Sequence, residues 1–365
     1  MRDHREYMLE AVALAERASG ATSPNPRVGC VLVKDDIIVG TGWHAYPGAD
    51  HAEVAALKNA GDDARGATAY VTLEPCNHTG RTGPCTEALI KAGVAKVYFG
   101  TSDPNPLAAG GSTKLNAAGI PCLGGLCKEE TDELVRAWIF SLKHNRPFIV
   151  AKSAMGLDGH IATAGGDSKW ITGPKARARS HQLRREADAI LVGAQTIIAD
   201  DPTLTARLDG KEWHPLRIVL DPNARTPPGA KVFERTGKGA LLVVSDALPP
   251  NRTEAHRHLG VDVLAAPIDS AGNFDLSDLL LVLHQRNILM LMIEGGGRTM
   301  GSFADADLID EIWLFYAPVI IGGGQRAFDG QGANSITDAH QFDLKPIEMT
   351  GNDFLVRGKR NRGGT

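Results

Sequence analysis

The chain has 365 residues, 43% of them hydrophobic and 22% charged, a composition typical of a folded globular protein long enough for two separately cored domains. Its 39 Lys and Arg residues are outnumbered by 43 Asp and Glu residues, and the formal charge of −4 argues against nucleic acid or an anionic membrane as the main partner. A small-molecule substrate is the simpler expectation.

The apolar runs and the cysteines indicate the compartment in which the protein is expected to fold. The longest apolar runs, which begin at Leu279 and Ile288, are far shorter than the roughly 20 residues needed to span a bilayer, so no membrane segment is predicted. The five cysteines are an odd number, and a chain of this size needs no disulfide bonds, which favours a reducing cytoplasm. Cysteines that come together in the fold are then better explained as metal ligands.

The first part of the chain alternates helices with strands. Its N-terminus is charged from the second residue onward and has apolar positions at helical spacing, which predicts a helix and not a secretory signal. Further helices are predicted at 51–60, 85–93 and within 125–145, and strands at 28–34, 37–43, 67–73 and 95–101. This order predicts an α/β domain around a mixed sheet, with the site in loops at strand ends.

A domain boundary is predicted at Arg146 and Pro147, because proline cannot continue the preceding helix. The expected domains are 1–146 and 147–365. In the second, apolar runs beginning at 147, 189, 216, 240, 261, 288 and 311 indicate the buried strands of another α/β domain. Gly322–Gly324 are expected to form a strand-ending turn, and the basic, glycine-rich tail from Arg357 is expected to be frayed.

A set of metal-binding residue types occurs in the first domain. His51 and Glu53 open the predicted helix HAEVAAL, and the later stretch TLEPCNHTGRTGPC carries Cys76 and Cys85. One His and two Cys make three zinc ligands, which leaves a fourth tetrahedral position for water, as in a catalytic site. Glu53 would then take a proton from that water and return it to the leaving amine, which is hydrolytic deamination of an amino-substituted ring.

The spacing departs from the nucleobase-deaminase signature, His-x-Glu followed by Pro-Cys-x-x-Cys. Here the loop NHTGRTGP separates the two cysteines, and its Gly and Pro content is expected to let it double back. Two alternatives remain open. Cys76 and Cys85 would be ordinary small buried residues in one, and His78 would complete a closed structural zinc site in the other.

These residues resemble the zinc-dependent cytidine-deaminase superfamily and, within it, the bifunctional riboflavin-biosynthesis deaminase/reductases. The matching stretches are PNPRVGCVLV, HAEVAAL, TLEPCNHTGRTGPC and DPNP in the first half, and GLDGHIAT, DSKWIT, ADDPTLTAR and IEGGGRTMGSF in the second. They follow one another in order over nearly the whole chain. At five positions the residue differs from the one most usual in this family, and these are Asn77, Gly83, Met155, His160 and Gly173.

The resemblance implies an α/β protein with an N-terminal cytidine-deaminase-like three-layer domain and a C-terminal dihydrofolate-reductase-like domain. The first would deaminate a diaminopyrimidinone that carries a ribosylamino 5′-phosphate, with Zn²⁺ on His51, Cys76 and Cys85 and with Glu53 as proton shuttle. The second would use NADPH to reduce the ribosyl group to a ribityl chain. Related domains associate through sheet edges or helices, so a homo-oligomer is expected.

Several polar residues are candidate substrate contacts. The amide of Asn25 has both a donor and an acceptor for a pyrimidine edge, although an Asn before Pro also forms turns. Arginines bind phosphate as a planar fork, which suggests Arg184 and Arg207 for the 5′-phosphate, although such residues also form surface ion pairs. The substrate contacts implied by the resemblance are Asn25, His44, His78, Asp103, Asn105, Ser168, Arg184, Leu204, Arg207 and Glu294, with Lys152 and Asp158 as weaker candidates.

The cofactor is predicted to lie at the glycine-rich stretch IEGGGRTMGSF. The second domain has no GxGxxG motif, but here a strand ending at Glu294 leads through three glycines into a helix expected near Thr299. Such a turn gives phosphates close access to backbone N–H groups, although it also suits an ordinary turn. The implied NADPH contacts are Ala154, Trp170, Thr196, Asp200, Gly296, Gly297, Arg298, Thr299, Met300, Gly301 and Ser302.

Two other functions compete with this one. The chain could deaminate a free base, a nucleoside or tRNA beside a merely structural C-terminal domain, although its acidic charge argues against tRNA. It could also be a zinc-stabilised binding protein without catalysis. Glu53 separates this last class from the enzymes, because only a deaminase needs an acidic residue there.

Overall fold

The computed structural model describes residues 2–78 and 83–363, which fold as two compact units, Met1–Asn145 and Arg146–Thr365. In the described residues, no helix is long and apolar enough to cross a membrane.

The first unit is built on a five-stranded mixed sheet. Its helices are α1 (His4–Glu16), α2 (Ala52–Ala60), α3 (Cys85–Ala92), α4 (Gly111–Ala117) and α5 (Lys128–His144). Its strands are β1 (Gly29–Lys34), β2 (Ile37–Trp43), β3 (Thr68–Leu73), β4 (Lys96–Thr101) and β5 (Cys122–Leu123), in the order β2-β1-β3-β4-β5. Strands β3, β4 and β5 are parallel, whereas β1 is antiparallel to both of its neighbours.

Helices cover both faces of this sheet. One face is formed by alternate strand residues such as Cys30 and Val71. It is covered by alanines of α2, by Leu89 of α3 and by Leu115 of α4. On the opposite face, α1 places Met8 among residues of β1 and β3 and contacts α5. The arrangement is the predicted three-layer α/β domain, in which the carboxyl ends of β3 and β4 face the loops that carry the candidate ligands.

The second unit is built on a ten-stranded sheet. Its helices are α6 (Pro174–Glu186), α7 (Ala194–Asp200), α8 (Glu254–His258), α9 (Leu276–Gln285) and α10 (Gly297–Asp305). Its strands are β6 (Phe148–Gly156), β7 (His160–Ala162), β8 (Ala189–Gly193), β9 (Ala206–Leu208), β10 (Lys211–Trp213), β11 (Leu216–Leu220), β12 (Ala240–Ser245), β13 (Asp262–Ala266), β14 (Met290–Glu294), β15 (Glu311–Ala317), β16 (Gln325–Arg326), β17 (Gln341–Leu344), β18 (Glu348–Thr350) and β19 (Asp353–Asn361).

The strand order of the large sheet is β13-β12-β11-β8-β14-β6-β15-β19-β17, with β18 also paired to β19. The strands from β13 to β15 are parallel to one another, and β19 runs antiparallel to β15. The predicted apolar runs are the parallel strands, and most are buried because helices cover both faces of such a sheet. Strands β7 and β16, and likewise β9 and β10, form small separate pairs.

One expectation for this unit was wrong. The tail is not frayed from Arg357, because residues 357–361 belong to β19, which pairs with β15, β17 and β18. Its charged side chains are held by ion pairs, such as Arg357 with the buried Glu311 at 2.8 Å, so a basic composition did not mean disorder. The helix expected near Thr299 is present as α10 and begins two residues earlier, at Gly297.

Candidate active sites

The three candidate zinc ligands come together in the first unit. His51 is the residue before α2, Cys76 follows β3, and Cys85 begins α3. The Nδ1 atom of His51 lies 3.2 Å from the Sγ of Cys85 and 3.5 Å from the Sγ of Cys76. In a tetrahedral zinc site, donor atoms are separated by roughly 3.6 Å, so one imidazole and two thiols at these distances suit Zn²⁺.

The electrostatics of the cluster favour a cation. A hydrogen bond from Cys85 lowers the pKa of the Cys76 thiol to about 4, whereas the same bond and burial raise the pKa of Cys85. A hydrogen bond with Cys76 raises the pKa of His51. In the described part of the chain no fourth His, Cys, Asp or Glu joins the cluster, so His78 does not lie with the other three. This leaves a coordination position open, as a catalytic site requires.

Glu53 lies beside this cluster in the first turn of α2. Its side chain is only 3% exposed. Burial, and then the negative charge of Cys76, raises the pKa of the Glu53 carboxyl to about 7. A carboxyl group with a pKa close to neutrality can both accept and return a proton, which is the property required of a general acid–base group.

Asn25 and His44 extend the same site. The Asn25 amide nitrogen donates to His44 Nε2 at 3.0 Å, and His44 Nδ1 donates to the backbone oxygen of Asp50 at 3.1 Å. Burial lowers the pKa of His44, which favours the neutral ring that this pattern requires. The rings of His44 and His51 meet edge to face, with centroids 5.6 Å apart. Asn25 is therefore held in position by a histidine that itself lies against a candidate ligand.

The loop after β4 carries Asp103 and Asn105. Burial raises the pKa of the Asp103 carboxyl, which accepts from the backbone nitrogen of Asn105 at 2.8 Å. The Asn105 side chain accepts from the backbone of Leu107, so it shapes its own turn. His78 is half-buried and its Nδ1 has no hydrogen-bond partner among the described residues. Residues 79–82, in which the loop was expected to double back, lie outside the described residues.

Glu74 is a residue of this site that the sequence analysis missed. Its carboxylate accepts from the backbone nitrogen of Ser112 at 2.9 Å, the hydroxyl of Ser112 at 2.7 Å and the backbone nitrogen of Asp103 at 3.3 Å. It thereby ties the segment leading to Cys76 to the loop with Asp103. The available signal was an acidic residue at the end of a buried strand, one position before Pro75.

A charged cluster lies at the carboxyl end of β14, beside the middle of the adjacent strand β6. Glu294 of β14 receives Lys152 of β6 at 2.9 Å on one carboxylate oxygen and Arg184 of α6 at 2.8 Å on the other. Burial raises the pKa of Glu294, but the charges of Arg184 and Lys152 outweigh it and hold the pKa well below its usual range. The cluster stays ionised and presents donors and acceptors at one point.

Arg184 and Arg207 meet at Thr205. Arg184 donates to the Thr205 carbonyl at 2.9 Å, and Arg207 donates to the Thr205 hydroxyl at 2.9 Å. Arg207 is exposed at its guanidinium, whereas Arg184 is engaged by Glu294, so Arg207 is the freer of the two to hold a phosphate. Leu204 is buried and its backbone has a positive φ of 52°. His181 accepts from the Arg207 backbone at 3.2 Å and was missed in the sequence.

The glycine turn after β14 serves two purposes. The Gly296 backbone nitrogen donates to the Thr196 hydroxyl at 3.3 Å, and a Cβ on Gly296 would meet nothing closer than 3.9 Å, so a ligand has room there. Gly297 and Gly301 instead lie against the backbone of 326–330, where a Cβ would come within 2.1 Å and 2.3 Å of other atoms. Gly297 and Gly301 therefore serve packing within the protein.

The other predicted cofactor residues are distributed around this turn. Thr299 lies beside Gly193, where an added Cβ would lie 2.8 Å from its hydroxyl. The Met300 side chain is fully buried in the core, and its backbone nitrogen donates to the Gly296 carbonyl at 3.3 Å. Arg298 and Ser302 are exposed on α10, and Ala154 and Ser168 are half-buried. Asp200 pairs with Lys169 at 3.2 Å.

Trp170 and Asp158 have partners within the protein. Trp170 is 73% exposed and its ring packs on the guanidinium of Arg177 at 4.6 Å. Asp158 accepts from the Gly322 backbone at 2.7 Å and lies 3.2 Å from His160, so it holds the turn at Gly322–Gly324. The structure does not bring Asp158 into the cluster around Glu294.

Comparison with known proteins identifies the family. The cytidine and deoxycytidylate deaminase zinc-binding region matches residues 1–101, and the RibD C-terminal domain matches residues 147–356. The riboflavin biosynthesis protein RibD of Aquifex aeolicus is 43% identical over 98% of this chain and 98% of its own length, and that of Escherichia coli K12 is 39% identical over 96% and 97%.

Solved structures give the same result. RibD of Acinetobacter baumannii has a TM-score of 0.84 with 37% identity, covering 98% of this chain and 99% of that one. The diaminohydroxyphosphoribosylaminopyrimidine deaminase/5-amino-6-(5-phosphoribosylamino)uracil reductase of Thermotoga maritima has a TM-score of 0.86 with 34% identity, covering 98% of each chain. The predicted fold class is confirmed, and the chain belongs to the RibD family of bifunctional riboflavin biosynthesis proteins, with a deaminase domain followed by a reductase domain.

Proposed function

We propose that this chain catalyses two successive steps of riboflavin biosynthesis. Its first domain, 1–146, deaminates 2,5-diamino-6-ribosylamino-4(3H)-pyrimidinone 5′-phosphate by hydrolysis. Its second domain, 147–365, reduces the ribosyl group of the product to ribityl with NADPH. The observation that carries the proposal is the buried Glu53 beside two thiols and an imidazole at zinc-ligand distances.

In the deaminase site, His51, Cys76 and Cys85 would hold the metal. Zn²⁺ bound by this set would supply the Lewis acidity that lowers the pKa of a water molecule toward 7. Glu53 accepts a proton from the attacking water and returns it to the departing amine, so that a C–N bond breaks, a C–O bond forms and ammonia leaves. Burial of Glu53 keeps bulk water from competing for this proton.

The substrate contacts follow from the same geometry. Asn25, held by His44, is placed to pair with the pyrimidine edge through its remaining donor and acceptor. Asp103, fixed through Glu74, and the half-buried His78 stand on the adjacent loops. Asn105 supports the same loop by capping its turn.

In the reductase site, the glycine turn with Gly296 and Thr196 fits a nucleotide phosphate, because it leaves backbone N–H groups at the start of a nine-residue helix. NADPH bound there would supply the hydride, and the protein supplies position. Glu294, with Lys152 and Arg184, holds the ribosyl hydroxyls at the hydride acceptor. Arg207, with the hydroxyl of Thr205, holds the 5′-phosphate.

The remaining contacts are proposed on the residues of the surrounding loops. For the cofactor they are Ala154, Trp170, Asp200, Gly297, Arg298, Thr299, Met300, Gly301 and Ser302, and for the substrate Ser168 and Leu204. Gly297 and Gly301 affect cofactor binding indirectly, since their packing against 326–330 sets the position of the turn.

We also propose a cytoplasmic homo-oligomer. All five cysteines are unpaired and buried, which fits a reducing compartment. Strands β17 and β18 form an outer edge of the large sheet and expose Leu344 and Met349. Exposed apolar residues on a sheet edge favour association with another chain.

The test is an assay of the purified protein with the ribosylaminopyrimidine phosphate, in which ammonia release and NADPH oxidation are followed separately. Both should occur, and NADPH oxidation should depend on the deaminated compound. Ammonia release from cytidine or tRNA but not from this substrate would support the competing deaminase. Failure to oxidise NADPH with the deaminated compound would remove the reductase half.

A further inference from the structure

The ribbon formed by β9 and β10 carries Arg207 but lies outside the large sheet of the second unit. Its two strands are joined by Asp209 and Gly210, both at positive φ, which is the geometry of a tight two-residue hairpin turn. A two-stranded hairpin is only marginally stable in water by itself. The position of Arg207 therefore depends on what holds the ribbon to the rest of the unit.

The register of the ribbon shows which of its edges is available for such contacts. Leu208 faces Lys211 across the turn, and Arg207 faces Glu212. In a hairpin with a two-residue turn, the pair next to the turn exchanges backbone hydrogen bonds and the following pair does not. The backbone N–H of Arg207 consequently points away from β10, toward an edge that a further strand could use.

Helix α6 supplies the partners for this edge. The Nδ1 atom of His181 accepts from the Arg207 backbone nitrogen at 3.2 Å, and Nη1 of Arg184 donates to the Thr205 carbonyl at 2.9 Å. Residues three apart share one face of a helix, so His181 and Arg184 act together as an acceptor and a donor. The helix thereby does for the ribbon what a neighbouring strand would do.

His181 can fill this role only as a neutral ring. An imidazole that accepts at Nδ1 carries its proton on Nε2, whereas a protonated ring has no acceptor. Burial, followed by the positive charges of Arg184 and Arg207, lowers the pKa of His181 to about 4, although Glu294 acts in the opposite direction. Near neutral pH the ring is therefore an acceptor, and it adds no third positive charge beside the two arginines.

The bond from His181 acts on the residue proposed to hold the substrate phosphate. The Nη1 atom of Arg207 donates to the hydroxyls of Thr203 at 3.1 Å and Thr205 at 2.9 Å, and 54% of the side chain is exposed. The guanidinium is thus fixed by groups of its own segment, so a shift of the Arg207 backbone would move the guanidinium as well. The other strand is held separately, because Trp213 packs under the guanidinium of Arg185 at 4.6 Å.

We propose that His181 is a positioning residue for the 5′-phosphate subsite, and that it sets the place of Arg207 through the backbone. The inference rests on the proposed reductase function and adds a residue to that site. The role requires no contact between His181 and the substrate.

The experiment measures NADPH oxidation by the full chain with the deaminated substrate and with the same compound lacking its 5′-phosphate. His181→Leu removes the acceptor and should raise KM for the phosphorylated compound about tenfold, while kcat, KM for NADPH and kcat/KM for the dephosphorylated compound stay unchanged. His181→Asn keeps an acceptor near the position of Nδ1 and should stay within about threefold of wild type. His258→Leu, which replaces an exposed histidine of α8, is the matched control and should change none of these constants.

Hydrogen exchange on the wild-type protein gives a second reading that needs no variant. The Arg207 amide should be protected, whereas the amide of Gly210 in the turn should exchange freely. Equal exchange of the two amides would show that the bond to His181 is not maintained in solution, and it would overturn the proposal.

The kinetic outcomes separate this inference from the proposed function. Wild-type protein that oxidises no NADPH, or that has the same KM with and without the 5′-phosphate, would overturn the proposed function at this site and the inference with it. Wild-type protein that prefers the phosphorylated compound, with His181→Leu unaltered or weakened equally for both compounds, would overturn the role of His181 alone. An asparagine variant as impaired as the leucine variant would do the same. A selective rise in KM for the phosphorylated compound, rescued by asparagine, supports the role.

Discussion

Replacement of Glu53 by glutamine tests the proposed deaminase chemistry. The substitution keeps the size and the hydrogen-bonding capacity of the side chain but removes its ability to carry a proton. General acid–base groups contribute about 10²–10⁴ in rate, and Glu53 is only 3% exposed, so bulk water does not replace it. We expect ammonia release to fall about 10³-fold, which corresponds to about 4 kcal/mol of transition-state stabilisation.

The same variant should not lose stability. Burial raises the pKa of Glu53 from 4.5 to about 7, so the folded state binds this proton more tightly than the unfolded chain does. A raised carboxyl pKa means that stability falls as the pH rises from 4.5 toward 7, by up to about 3 kcal/mol. Glutamine removes this loss, so metal-free Glu53→Gln should be more stable than metal-free wild type at pH 8 and equal to it below pH about 4.

The assay measures four quantities on one preparation: ammonia release, zinc content, urea unfolding, and NADPH oxidation with deaminated substrate supplied. We expect loss of the first, retention of zinc and unchanged NADPH oxidation. Ammonia release at the wild-type rate would refute the proton-shuttle role of Glu53. Loss of zinc together with activity would show instead that the carboxylate maintains the metal site.

Three further substitutions test other parts of the structure. Cys85→Ala leaves two ligands and should abolish stoichiometric zinc retention after dialysis, measured by mass spectrometry; one zinc per chain in that variant would exclude Cys85 as a ligand. Glu294→Gln leaves two cations without their counter-charge, so it should lower the free energy of unfolding in urea by about 3–5 kcal/mol and abolish NADPH oxidation. Because the pKa of Glu294 is lowered in the folded state, its stabilising effect should be present above pH about 4.5 and lost on acidification. A variant as stable as wild type at pH 7 would contradict this prediction. Gly301→Ala puts a Cβ 2.3 Å from backbone and should destabilise by about 1–3 kcal/mol, whereas Gly229→Ala, where nothing lies within 4 Å, is the control; equal stabilities would show that the turn can move.

The sequence alone was sufficient for the two-domain α/β architecture. Short apolar runs in the second half predicted strands, and they became the parallel strands of one sheet because such strands are buried on both faces. The ordered set from His51 to Cys85 predicted a metal cluster, because few structures need those residue types in that order. The frayed tail was a wrong prediction, since composition does not show that residues 357–361 pair between other strands.

Only the tertiary structure showed which polar residues share a site. Lys152, Arg184 and Glu294 are separated along the chain by 32 and 110 residues, and their contacts arise from strand order and from the packing of α6. It likewise showed that Glu74 joins two loops and that Met300 faces the core. Local patterns specify elements and motifs because they depend on neighbouring residues. Side-chain direction and charge pairing depend on residues that folding brings together, and they cannot be determined before the fold is known.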